Sequence, residues 1–190
     1  MNVFITGASS GIGAALASAY ASQYKNEELN IGLASRRSEH LQNLKVLLEA
    51  QPNIRCHTYP LDVRDHQALA LAAGDFIERA GAPNVVIACA GVSRGTLTEH
   101  QEDIAAFQAV LEINVMGMVH TFQPFITAIR KAGGGQLVGI ASVAGIRGLP
   151  GAGAYSASKA AAISYLESLR VEMAPSNIAV TTIAPGYIRT

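Results

Sequence analysis

Tyr155 and Lys159 stand four residues apart in Ala154-Tyr155-Ser156-Ala157-Ser158-Lys159, and Ser142 lies thirteen residues before the tyrosine. On a helix, that spacing puts a phenol and an ammonium on one face. A free tyrosine titrates near ~10, so proton exchange near pH ~7 requires a shift of about 3 units, or roughly 4 kcal/mol. One ammonium at about 5 Å, with an effective dielectric of about 20, contributes on the order of 3 kcal/mol. The lysine alone could supply most of the shift that a proton donor needs. The same pair also fits any Ala/Ser-rich helix, so its meaning depends on its surroundings.

The amino terminus supplies a context. Met1 to Thr6 is a short apolar run that leads into Gly7-Ala8-Ser9-Ser10-Gly11-Ile12-Gly13 and then a helical pattern from Ala14 to Tyr24. Strand, glycine turn and helix in that order suit a nucleotide. Glycines let the backbone approach a pyrophosphate, and the free amides of the helix start receive it. The spacing is Gly-x-x-x-Gly-x-Gly, so the match is to the mechanism and not to the Gly-x-Gly-x-x-Gly pattern. Ser9 and Ser10 add hydroxyl donors. An ordinary strand-to-helix turn is the competing reading.

Composition narrows the function classes. At 190 residues the chain is expected to be one domain. Charged residues make up 15%, against about 25% in a typical soluble domain, so much of the surface should be covered. The net charge is zero without a basic run, which argues against nucleic acid as a partner. No contiguous apolar stretch reaches the ~18 residues of a membrane span, and no signal peptide is recognised, so a cytoplasmic protein is expected. Cys56 and Cys89 fall in predicted strands and read as buried thiols, not a disulfide. His40, His57, His66, His100 and His120 show no metal-ligand spacing.

Strands and helices alternate along the chain. Further strands are predicted at Leu29–Ala34, Ile54–Tyr59, Asn84–Gly91, Gln136–Ala141 and Ile178–Ala184. Helices are predicted at Glu39–Ala50, Asp65–Arg79, Ile104–Lys131 and Ser156–Ala174, with Leu69, Ala72, Ala73 and Phe76 on one face of the second of these. Pro124 should kink the long one. Six strands joined by crossover helices make an α/β fold with a doubly wound parallel sheet, Rossmann-like, in a single domain over residues 1–190.

The whole chain resembles the short-chain dehydrogenase/reductase family. The resemblance is carried by Thr6-Gly7-Ala8-Ser9-Ser10-Gly11-Ile12-Gly13, Asp62-Val63, Ala90-Gly91, Asn114, Ser142, Tyr155 with Lys159, and Pro185-Gly186-Tyr187-Ile188-Arg189-Thr190. It implies an oxidoreductase that moves a hydride between a nicotinamide cofactor and a carbonyl or secondary alcohol. Tyr155 would be the general acid/base. Lys159 would depress its pKa and hold the nicotinamide ribose, and Ser142 would steady the substrate oxygen. Asn114 would hold a relay water, unless it only satisfies a helix break. Asp62 and Val63 would bracket the adenine, Ala90 and Gly91 would lie against the ribose, and Ile188, after Pro185 and Gly186, would fix the carboxamide.

Cofactor choice is read at the end of the second strand. NAD-selective sites place an acid there, about 20 residues after the glycines. This chain has Ser35-Arg36-Arg37, with no acid until Glu39. Two guanidiniums where a 2′-phosphate could be clamped favour NADP, with NAD possible. Two departures from the family stand out. Ala88-Cys89 precede Ala90-Gly91 where asparagine is usual, and the sequence stops at Thr190, before the lid, helix and seventh strand that members typically carry. The sixth strand is then expected as an exposed edge. Arg147, Leu149 and Tyr187 are candidates for the substrate pocket, whose ligand stays unspecified. A homodimer or homotetramer is implied through the two long helices, with small residues Ala160, Ala161, Ser164 and Ser168 allowing close approach. The alternatives are a catalytically idle nucleotide sensor and an interaction subunit on the same fold.

Overall fold

A computed structural model describes residues 1–188. The strands are β1 (Asn2–Thr6), β2 (Leu29–Ser35), β3 (Ile54–Pro60), β4 (Val85–Ala88), β5 (Gly135–Ile140) and β6 (Ile178–Ile183). All pair in parallel in the order β3-β2-β1-β4-β5-β6. The strands read as near-continuous apolar runs because helices cover both faces. Alternation still sorts the side chains: Phe4, Val86 and Leu137 enter one core, while Val3, Ile5, Val85, Ile87 and Val138 enter the other.

Helices α1 (Gly11–Gln23) and α2 (Ser38–Leu48) cover the second core through Ala17, Ala21, Leu41 and Leu48. On the other face lie α3 (His66–Ala80), α4 (Ile104–Leu111), α5 (Gly117–Phe122), α6 (Ile126–Lys131) and α7 (Gly153–Met173). The apolar face predicted for α3 is the buried one, and Asp65 caps it by accepting from the amides of Gln67 and Ala68 at 3.1 and 3.0 Å.

The long helix predicted over 104–131 is broken twice. A 3₁₀ turn at Gln123–Phe125 surrounds Pro124, as its missing amide requires. A π-helical turn at Glu112–Met116 was not anticipated. By length and composition alone the run Gln101–Lys131 could cross a membrane. In this fold its Phe122, Phe125 and Ile129 are fully buried against the sheet.

Several boundaries also differ, three of them beside the site. Helix α1 begins at Gly11, not Ala14, and α7 at Gly153, not Ser156, because hydrogen bonding starts before the apolar period does. Strand β4 ends at Ala88, and Cys89–Gly91 leave the sheet to line a cleft. Among the described residues, strand β6 pairs with β5 and stands last in the sheet order.

Phe4 is fully buried in the first core, with ring centroids of Tyr59, Phe76 and Phe125 at 5.6, 5.5 and 4.7 Å. Phe4→Ala should lower unfolding free energy by about 3–5 kcal/mol, read from the urea midpoint at unchanged slope.

Candidate active site

Connection order creates the site. The chain leaves β1 toward β2 on one side, whereas β4 lies on the other side of β1, so the loops after β1 and β4 diverge. Ligands of such sheets sit in that crevice, at the carboxyl ends of the strands. A cleft of about 520 Å³ opens there.

The glycine turn forms one wall. Gly7 has φ +72°, and a Cβ there would lie 2.7 Å from the Ala90 amide nitrogen, so only glycine lets these two loops meet. A Cβ on Gly13 would collide with the Gly7 carbonyl oxygen. Gly7, Ser9, Ser10, Gly11 and Ile12 line the cleft, whereas Gly13 stands behind it and acts through packing. The Arg37 guanidinium donates to Ser9 Oγ at 3.1 and 2.9 Å and to Ser10 Oγ, which binds the end of β2 to the turn. Arg36 lines the same corner, so both predicted arginines reach the cleft.

Asp62 and Val63 line the cleft beyond the arginines. Arg64 grips the Asp62 carboxylate at 2.7 Å and, with Arg36 nearby, holds its pKa below the usual carboxylate range. Ala90 and Gly91 line the opposite wall, and Pro185, Gly186 and Ile188 border its far end. Arg189 and Thr190, named in the family segment, lie outside the described residues. This cradle of close-approaching glycines, serine hydroxyls and guanidiniums fits a nucleotide cofactor.

Tyr155 and Lys159 both line the cleft from the first turns of α7. The Lys159 ammonium lies 5.7 Å from the Tyr155 ring centroid and donates to the Ile140 carbonyl at 2.7 Å. Only 5% of Lys159 is exposed, and burial pushes its pKa down to about 8, partly opposed by Cys89. Ser142 follows β5 and lines the cleft. Its Oγ accepts from the Ala144 amide at 3.2 Å and donates to the Pro185 carbonyl at 3.5 Å, so it also caps the 3₁₀ turn Val143–Gly145.

Asn114 stands behind the wall in the π-helical turn, 1% exposed. Its Oδ1 accepts from the Val92 amide at 2.8 Å, and its Nδ2 donates to the Val92 carbonyl and to Ser158 Oγ, both at 2.9 Å. Neither partner belongs to its own helix, so the side chain ties separate elements together and does not satisfy the helix break.

Sequence reasoning missed several wall residues, including Ser35, Leu61, Cys89, Val92, Ser93 and Ile113. For all but Ile113, which sits in the π-helical turn, the signal was adjacency to strand ends. Arg147, Leu149 and Tyr187 are not in the cleft wall; Tyr187 is 99% exposed. Each lies on a loop beyond the strand ends, where hydropathy carries no directional information.

Comparison with known proteins agrees with this geometry. The short chain dehydrogenase family model matches residues 1–190. An uncharacterized oxidoreductase of Mycobacterium tuberculosis is 35% identical over 190 residues, covering 99% of this chain and 73% of its own length. A 3-ketoacyl-ACP reductase from Sinorhizobium meliloti superposes with TM-score 0.92 at 26% identity, over 100% of this chain and 73% of its own. An alcohol dehydrogenase from Thermococcus sibiricus, complexed with 5-hydroxy-NADP, gives TM-score 0.89 at 26% identity, over 100% of this chain and 77% of its own. With the glycine turn, the switch-point cleft and the Tyr155–Lys159 pair in place, the chain belongs to the short-chain dehydrogenase/reductase family and is an oxidoreductase that uses a nucleotide cofactor.

Proposed function

We propose that the protein is an NADP-dependent oxidoreductase for a carbonyl or secondary alcohol, with Tyr155 as general acid/base. The observation that carries this reading is the meeting of Tyr155, Lys159 and Ser142 in one cleft whose other end holds Arg36 and Arg37. A binding protein needs the arginines and the glycine turn, but not the phenol, ammonium and hydroxyl together. That favours an enzyme over an idle sensor.

In reduction, Tyr155 gives its hydroxyl proton to the carbonyl oxygen; in oxidation it takes the proton back. A bound nicotinamide supplies or accepts the hydride. Ser142 donates to the same oxygen, exchanging its long 3.5 Å bond to Pro185 for a shorter one to a more negative acceptor. The Lys159 donors not given to Ile140 serve the ribose hydroxyls. The side-chain donors of Asn114 are taken by Val92 and Ser158, so a relay water would fall to its main-chain carbonyl in the π-helical turn. Gly7, Ser9, Ser10, Gly11 and Ile12 would hold the pyrophosphate, with Gly13 supporting them from behind. Asp62 and Val63 would hold the adenine, and Ala90, Gly91, Pro185, Gly186 and Ile188 the remaining walls.

The proposal extends to the protein's setting. Free thiols at Cys56 and Cys89 support a reducing, cytoplasmic location. Exposed Ile104, Phe107 and Met116, together with the outward-facing Ala160, Ala161, Ser164 and Ser168 of α7, support a homodimer or homotetramer.

Three outcomes are expected. Tyr155→Phe should cut turnover of a carbonyl panel by at least about 10²-fold while NADPH affinity, read by fluorescence titration, stays near the parent value. NADPH should bind more tightly than NADH, and Arg37→Glu should weaken NADPH by about 10- to 100-fold with little effect on NADH. Because Lys159 is charged only below its pKa of about 8, kcat/KM should fall as pH rises through that value. A flat profile from pH 7 to 9 would count against its role.

A further inference from the structure

Ser158 lies three residues after Tyr155 and one before Lys159, and none of it is exposed. Serine on a helix often bonds back to a carbonyl of its own turn while facing solvent. Here the side chain instead faces the π-helical turn that carries Asn114. Its Oγ donates to the Tyr155 carbonyl at 2.7 Å and accepts from Asn114 Nδ2 at 2.9 Å. Asn114 in turn clamps Val92 through the amide and the carbonyl of that residue. A line of bonds therefore runs from the Tyr155 backbone through Ser158 and Asn114 to Val92, which with Ser93 lines the cleft.

The direction of each bond follows from the inventory of donors. The single Ser158 hydroxyl proton is given to Tyr155, so the oxygen can only accept from Asn114. That fixes which end of the Asn114 amide faces α7 and leaves Oδ1 for the Val92 amide. Without the hydroxyl, a buried Asn114 N–H loses its partner, a penalty that low dielectric enlarges. The amide keeps its two bonds to Val92 but carries an unpaired N–H toward α7, so the Tyr155 turn loses its tie to the Val92 wall.

We infer that Ser158 is a positioning residue: it fixes the Asn114 amide and through it holds the Tyr155 turn of α7 against the Val92 wall of the cleft. The assignment rests on the oxidoreductase reading above. Ser158 touches neither substrate nor cofactor; it acts through Tyr155 and Asn114.

The test uses Ser158→Ala and Ser158→Cys in the whole chain, with NADPH and the carbonyl panel. The cysteine variant nearly keeps the side-chain shape but offers only a weak donor and acceptor, so it carries the test if the alanine variant does not fold. Both should lower kcat by about tenfold while KM for NADPH changes by less than about twofold, because the phosphate and adenine contacts lie elsewhere. Since the serine and Asn114 act through one line of bonds, the double variant Ser158→Ala, Asn114→Ala should lose less than the product of the two single losses.

Parent-like kcat in the cysteine variant, or losses that multiply in the double variant, would overturn the assignment and leave Ser158 a small residue chosen for packing. A parent protein that binds NADPH yet turns over no carbonyl or alcohol would overturn the enzyme reading, and this assignment with it. A live parent with unaffected Ser158 variants overturns the assignment alone.

Discussion

A buried ammonium is the constraint on which the site depends. Lys159 is enclosed between α7 and the carboxyl end of β5, and among the described residues it has no carboxylate partner. Its strongest contact is the Ile140 carbonyl, the last of β5. Removing a charge from water without an opposite charge is costly. Burial therefore loosens the proton on Lys159, whose pKa falls to about 8. The same bond pins α7 to the sheet, so Tyr155, one helical turn earlier, is carried to the cleft and not to solvent.

Topology does the rest of the gathering. Gly7 follows β1, Cys89 follows β4 and Ser142 follows β5, and these three strands are neighbours although far apart in sequence. Parallel pairing puts all three carboxyl ends at the same edge. Side chains from the loops then meet without any one segment having to bend far. Gly7 and Ala90 show how close that meeting is, since their backbones leave no room for a methyl group between them.

The strands and their connection by helices were legible because a strand buried on both faces leaves an unbroken apolar run, as at Val85–Ala88. Helix starts were less so. Hydrogen bonding, which sets them, is not written in hydropathy, and Tyr155 proved to lie inside α7, not before it. The types and positions of Arg36 and Arg37 were readable, but not that Arg37 would rest on the two serines of the glycine turn. The widened turn at Asn114 was hidden for a similar reason. Its partners, Val92 and Ser158, are distant in sequence and on other elements. The mouth of the cleft was read least well: Leu149 and Tyr187 were chosen by nearness in sequence, which loops do not respect.

The grip of Ser9 and Ser10 on Arg37 has a consequence for how quickly and how cheaply an anion can be captured. A free arginine side chain gives up as much as ~2 kcal/mol of rotamer freedom when it is immobilised. Here that loss falls on folding, because the guanidinium is already aligned across the turn. A phosphate arriving there would exchange neutral hydroxyl acceptors for charged oxygens and would meet an arm that no longer has to search for its pose.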